Sequence, residues 1–271
     1  MRITRRSFAG AMAAACAGVV TGRAQGGAYR IGIETYCFHD VDLATTLKHV
    51  RSLGVRYLEL HDGHLPRTAS PAEIARAQEA MRDADITAVG VYIHDAYRPD
   101  EAITRPILQF VRTAGFDYVT GGPSRESLPV LNRLAPELHV QVALHNHGPG
   151  ARYETLEDVT SALEAFPHLR AVIDIGHFAR SRVDPVHATR VLGGRAVAMH
   201  VKDVDGRGEN VVVGEGTIDM PGVFRALRES RFEGLLVLEY EGDFDNMEKR
   251  LAGMRRSLAN MQRFIEGAQR A

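Results

Sequence analysis

Hydrophobic and polar positions follow two rhythms from about residue 30 onward. Short β-rich runs at 30–38, 57–60, 86–94, 118–121, 140–144, 171–175, 196–201 and 235–240 alternate with stretches whose apolar residues recur at helical spacing. Leu43, Leu47, Val50 and Leu53 fall on one helical face and stop at Gly54, a residue that closes helices because it enters left-handed backbone without strain. Ser70-Pro71-Ala72-Glu73 combines a capping hydroxyl, a proline at the first helical position and an acid at the third. Thr155-Leu156-Glu157-Asp158 and Asp219-Met220-Pro221 read as further helix entries. Parallel strands need crossover connections, so eight strands alternating with helices predict a parallel sheet, and eight such repeats close on themselves. The expected fold is α/β, a single (β/α)8 barrel over 28–268. A doubly wound open sheet would place a glycine-rich phosphate loop after the first strand, where this chain has Tyr36-Cys37-Phe38-His39-Asp40. No linker-like or low-complexity stretch divides the pattern.

The first residues follow a different logic. Thr4-Arg5-Arg6-Ser7-Phe8 sets paired arginines before a weakly apolar run of small residues that ends near Gly22-Arg23-Ala24. The run falls short of the ~18–20 residues a membrane helix needs. This is the layout of a signal peptide, and the arginine pair points to the twin-arginine route. We expect residues 1–24 to be a cleaved export signal, the mature chain to be periplasmic or extracellular, and no stable membrane insertion. Cleavage would remove Arg2, Arg5, Arg6 and Arg23 and no acids from 33 basic and 34 acidic residues, leaving 29 against 34, a net charge of −5. Such a chain has no electrostatic reason to seek phosphate backbones, which argues against nucleic acid as a partner. Of the two cysteines only Cys37 would remain, so no intramolecular disulfide is expected.

In a barrel of this kind the chemistry belongs at the carboxyl ends of the strands. The polar residues gather there. The second strand runs into Glu59-Leu60-His61-Asp62-Gly63-His64, the third into His94-Asp95, the fifth into His145-Asn146-His147, the sixth into Asp174-Ile175-Gly176-His177, the seventh into His200-Val201-Lys202-Asp203 and the eighth into Glu239-Tyr240-Glu241. Of twelve histidines, seven fall in these short windows, more than random scatter favours. Side chains alternate faces along a strand, so His145, Asp174, His200 and Glu239 are the inward candidates; His147 shares the face of His145, which leaves open which of the two is the fifth-strand ligand, while Lys202 shares the face of His200 and Glu241 that of Glu239. Two imidazoles and two carboxylates suit one divalent ion such as Mn²⁺, Co²⁺ or Zn²⁺, with Mg²⁺ a harder alternative. His177 is a fifth ligand, a support for Asp174 or a substrate contact. Glu59, His61, His64, His94, His147, Arg180 and Glu241 are candidate substrate contacts; Glu59, His61 and His94 equally suit places behind the metal or at the rim. A lone His or Asp at a strand end is usually a loop cap, so the metal reading rests on four acting together. His49, His139, His168 and His187 read as structural, and Asp184 as the cap of the helix opened by Pro185.

With these motifs in order, the chain resembles the sugar phosphate isomerase/epimerase family of the xylose isomerase-like TIM barrel superfamily, which also holds the endonuclease IV enzymes. The resemblance covers nearly all of residues 28–265. It is carried by His145-Asn146-His147-Gly148-Pro149, Asp174-Ile175-Gly176-His177, Asp184-Pro185, His200-Val201-Lys202-Asp203, Val213-Gly214-Glu215-Gly216 and Leu238-Glu239-Tyr240-Glu241. It implies a single metal held from strands five to eight, at His145, Asp174, His200 and Glu239. The family's sugar epimerases carry Glu on strand five as one of two acid/base carboxylates, and this chain has His145 there. The endonuclease set of ligands for three zinc ions is incomplete, since the fourth strand ends in Thr120-Gly121-Gly122.

The expected function is therefore a metal-dependent sugar isomerase or epimerase acting through an enediolate on a small keto- or hydroxy-sugar. Glu239, His177 or Glu241 would serve as base and Lys202 as electrophile or proton donor. The same intermediate permits a lyase, a dehydratase or a hydrolase of keto-sugars or glycosides. A non-catalytic sugar-binding barrel is the competing reading. Nothing in the pattern speaks against assembly into a homo-oligomer.

Overall fold

The computed structural model describes residues 29–94 and 96–270, so the expected export signal lies outside the described residues. Strands β1 (Arg30–Glu34), β2 (Tyr57–His61), β3 (Thr87–Tyr92), β4 (Tyr118–Gly121), β5 (Gln141–His145), β6 (Arg170–Asp174) and β7 (Ala196–Val201) are followed by a short ribbon, β8 (Asp203–Val204) and β9 (Asn210–Val211), and by β10 (Leu235–Leu238). Around them lie α1 (Leu43–Ser52), α2 (Pro71–Asp83), α3 (Glu101–Ala114), α4 (Leu128–Leu138), α5 (Leu156–Ala165), α6 (Ile175–Arg180), α7 (Pro185–Leu192), α8 (Met220–Glu229) and α9 (Met247–Arg270). The order β1-β10-β7-β6-β5-β4-β3-β2 is a closed, parallel barrel, which leaves none of its strands with a free edge. No described helix is long and apolar enough to cross a membrane.

The helix entries form as the capping chemistry requires. Ser70 and Glu73 satisfy each other's backbone amides in a reciprocal box, as do Thr155 and Asp158. Asp184 caps α7 and Asp219 caps α8. Four strands, β1, β3, β6 and β10, end earlier than their apolar pattern predicts, and at two of them a carboxylate makes the turn. The Glu34 carboxylate accepts the amide of Tyr36 at 2.5 Å and turns Thr35–Phe38 into a 3-10 helix. Asp174 likewise caps α6, so Ile175 belongs to the helix and not the strand. The β8–β9 ribbon was not expected, because two-residue strands have no periodic signature.

Alternation along the strands builds two apolar layers. Val89, Tyr118, Ala143, Val172, Ala198, Leu235 and Val237 fill the barrel interior as one cluster. Their neighbours Leu58, Leu60, Leu144, Ile173, Met199, Val201, Leu236 and Leu238 join the larger cluster under the helices. Each fully buried side chain of this kind contributes about 1.5–3 kcal/mol, so the outer layer carries most of the stability. The interior has one special fit: a Cβ on Gly90 would lie 2.2 Å from the Tyr118 ring, so only glycine leaves that ring its place. One residue pair further along each strand, on the same inward face, the apolar rung gives way to polar groups. Ala143 is followed by His145, Val172 by Asp174, Ala198 by His200 and Val237 by Glu239.

Candidate metal centre

These four residues converge. Each offers one donor atom, and the four atoms lie within 4.8 Å of one another with all four residues buried. His200 Nδ1 is 2.7 Å from Glu239 Oε2, 3.2 Å from His145 Nε2 and 3.8 Å from Asp174 Oδ2. Strand register sets this up, since Asp174 pairs with His200 and Val237 with the same histidine from the other side. Asp174 spends Oδ1 on the amide of His177, at 2.8 Å. Its Oδ2 is buried and accepts no hydrogen bond; Lys202 Nζ, 3.3 Å away, is not aligned to donate to it. A buried carboxylate oxygen left open among two imidazole nitrogens and a second carboxylate fits a divalent cation. The mixed nitrogen and oxygen set suits Mn²⁺, Co²⁺ or Zn²⁺.

The supports around the four residues are themselves buried. Glu59 Oε1 lies 2.8 Å from His200 Nε2, and the Tyr118 hydroxyl donates to Glu59 Oε2. Carboxylates thus flank both ring nitrogens of His200 and, against its burial, hold the imidazole well above its usual range; a cation at the centre would take the place of the Nδ1 proton while Glu59 keeps Nε2–H. Asn146 clamps the backbone of Asp174 in both directions, at 2.9 and 2.8 Å. Lys202 sits between carboxylates, 3.1 Å from Glu239 Oε1 and 3.0 Å from Glu241 Oε1, with His177 Nε2 at 3.4 Å. Its stem lies over Gly176, where a Cβ would come within 2.8 Å.

Charge follows from this packing. Burial alone would push Lys202 down, but Asp174, Glu239 and Glu241 outweigh it and hold the ammonium protonated well above its usual range. Burial would raise Glu239; Lys202 and His200 overcome that and keep it well below the ordinary carboxylate value. Asp174 is held at about 2 against its burial by His177 and Lys202. Burial lowers His177 to about 3, so its imidazole is neutral near pH 7. Glu241 is shifted upward, by burial first, against the pull of Lys202.

The structure brings His145, Asp174, His200, Glu239, His177, Lys202 and Glu241 into one site, with Arg180 beside it. Arg180 Nε donates to the Gly208 carbonyl at 2.9 Å, and its guanidinium lies 3.3 Å from His177 Nδ1. His147 is exposed at the mouth and packs against His177 with ring centroids 3.8 Å apart and planes tilted by 31°. His61 and His94 flank Tyr92 on the far rim. Two expected substrate contacts are placed otherwise. Glu59 is fully buried behind His200, with both oxygens engaged, because the pleat turns it into the barrel one rung too deep. His64 packs against α1, its Nε2 3.1 Å from both Thr46 Oγ1 and the Val41 carbonyl, away from the four donors. Sequence reasoning passed over Tyr118, Glu34 and Asn210. Tyr118 and Glu34 were legible from parity, since Glu34 shares its face with Gly32 and sits level with Glu59. Asn210, whose amide donates to Glu241 at 2.6 Å, comes from the ribbon and had no signal.

A family model for the xylose isomerase-like TIM barrel matches residues 47–264, and the chain belongs to that family. An inosose dehydratase of Clostridium tetani is 30% identical over 138 residues, 44% of this chain and 46% of that protein. A rhizopine catabolism protein, MocC, of Rhizobium meliloti is 28% identical over 172 residues, 56% of this chain and 52% of its own length. The chain thus spans about half the length of the curated relatives it matches. Among solved structures, the IolI protein with a bound zinc atom aligns at a TM-score of 0.71 with 18% identity, over 87% of this chain and 99% of that one. At that identity the likeness shows the fold alone.

Proposed function

We propose that this chain is a divalent-metal-dependent enzyme that removes the proton next to the carbonyl of a keto-sugar or keto-polyol and completes the reaction as a lyase of dehydratase type. The observation that carries the reading is the ammonium of Lys202 bridging Glu239 and Glu241 directly beside a four-donor centre with an open carboxylate oxygen. His145, Asp174, His200 and Glu239 would hold the divalent ion, which would supply a Lewis acid beside the carbonyl and its neighbouring C–H. Glu239 Oε1, facing Lys202, takes the proton. The fixed charge of Lys202 stabilises negative charge on the substrate oxygen as it develops. Glu241, across Lys202 from Glu239, is the group placed to protonate the departing hydroxyl. The C–H and C–O bonds break, a C=C bond forms and water leaves.

Epimerisation or isomerisation, expected from the sequence resemblance, shares the first step. Its two-carboxylate version needs an acid/base carboxylate on β5, and His145 stands there. The dehydratase named among the curated relatives supports the eliminating branch. Export by the twin-arginine route belongs to the same proposal; fractionation of cells carrying the Arg5→Lys, Arg6→Lys variant tests it, and unchanged export of that variant overturns it.

The decisive experiment is elemental analysis of the purified protein, followed by keto-sugars and keto-polyols in deuterium oxide. About one equivalent of transition metal and a product lighter by one water support the reading. Deuterium exchange with no loss of water selects the epimerase. A folded protein that takes up no Mn²⁺, Co²⁺ or Zn²⁺ overturns the metal chemistry.

A further inference from the structure

The rim on the β1–β3 side of the mouth is built from rings. Tyr36 stacks on His39 with centroids 4.7 Å apart, lies 5.3 Å from His61 and meets Phe244 edge-on at 6.3 Å. His39 and Phe244 also meet edge to face, at 4.7 Å. His61 continues the series onto Tyr92 at 5.7 Å, and Tyr92 touches the candidate ligand His145 edge-on at 5.5 Å. The rings therefore run without a break from the metal centre to the outer rim. They are not covered as core rings would be: Phe244 is 37% exposed, His39 is exposed, and Tyr36 and His61 are half-buried.

A second observation shows that the outer rings are held in place. Arg250 of α9 is fully buried, which is costly for a guanidinium unless its donors are satisfied. It grips Asp40 with two parallel bonds of 2.7 and 3.0 Å, and donates to the Cys37 carbonyl at 3.0 Å and the Phe244 carbonyl at 2.6 Å. Its guanidinium also lies 5.0 Å from the centre of the Phe244 ring. One buried charge thus fixes both turns that carry the outer rings, the one after β1 and the one after β10. Glu34 adds its hold on the Tyr36 amide.

We propose that this wall is a second sugar subsite, and that the substrate is a two-ring glycoside whose reacting ring sits at the metal while its other ring lies on Tyr36, His39 and Phe244. The inference rests on the reading of the four-donor centre as the reacting end. A single pyranose covers about one ring of the series, so one held beside Tyr92 leaves the outer three free. A sugar matches their character: its C–H face packs on aromatic faces, while its hydroxyls need the phenol and imidazole edges interleaved among them.

The test is titration of the metal-loaded full chain with maltose, cellobiose, sucrose and trehalose, each against its constituent D-glucose or D-fructose. At least one disaccharide is expected to bind about 10-fold more tightly than its monosaccharides, the scale of one good aromatic contact. That advantage is lost in Phe244→Ala, kept in Phe244→Trp, and unaffected by Ile103→Ser, an exposed position on α3. No advantage for any disaccharide, or an advantage that survives Phe244→Ala and Tyr36→Ala, overturns the subsite. Metal content read on the same samples separates the two claims. Absent metal uptake sinks the proposed function, whereas bound metal without a disaccharide advantage sinks the subsite alone.

Discussion

The two arcs of the barrel mouth are made differently. On β5, β6 and β7 and at the tip of β10, the functional groups are strand-end side chains, buried, mutually hydrogen-bonded and set by register. On the β1–β3 side most of them are rings on turns past the strand ends, half open to water and fixed by a distant arginine. The difference follows from what each arc must do. Metal donors need positions good to a few tenths of an ångström in a site that excludes competing water, and a pleated strand provides that directly. A surface for recognition needs exposed area, which strands buried on both faces cannot offer, so it is built on turns and then stiffened.

The largest break in this comparison is expected on the first arc. Asp174→Asn removes the open oxygen and neutralises the charge that faces Lys202. Metal content should fall from about one equivalent to a small fraction, and turnover by about 10³-fold or more; retained metal at full occupancy would show that the centre is wrongly assigned. Glu59→Gln should act through His200 without touching substrate, lowering metal affinity about 10–100-fold. Competition with a chelator measures it, and an unchanged affinity would reduce Glu59 to a packing role.

The second arc should answer in stability and not in metal. Asp40→Ala strips Arg250 of its paired acceptor. The cost is expected at about 2 kcal/mol, below the ~3–5 for a fully buried pair because the Asp40 side chain is 38% exposed. Denaturant unfolding reads that cost, and a loss of metal in this variant would join the two arcs. The smallest effect is in its pH dependence. Hydrogen bonds from Arg250 hold the Asp40 carboxyl below its usual range, against slight burial. A lowered carboxyl stabilises the fold fully above its unfolded value of about 3.9 and loses that contribution as pH falls through the folded value. The difference in Tm between the native chain and Asp40→Asn should therefore hold near neutrality and narrow below about pH 4. A difference that stays constant would mean that Arg250 does not bias the titration of Asp40.

Most of the first arc was legible in the residues. The inward ring follows from a two-residue period, because a strand has only two faces and one of them looks into the barrel; parity left His145 and His147 as alternatives, and the end of β5 at His145 brings that residue to Asp174, His200 and Glu239. The same parity placed Lys202 and Glu241 in the site. Parity did not give depth: Glu59 faces inward like the ligands but ends behind His200, since strand stagger in a closed barrel decides which rung each residue reaches. His64 was misplaced because its window runs past β2 into a turn, where alternation no longer holds.

The second arc shows the limit. Phe244 is more than 200 positions from Tyr36 and His39, and nothing local links it to them. Local chemistry was enough for strand parity, helix caps and the donor types, because those depend on neighbours within a few residues. Which rung meets which, and the meeting of the turns after β1 and β10 under Arg250, was decided by barrel closure. Closure pairs β1 with β10, joining the two ends of the sequence, and that depends on long-range packing that no short window contains.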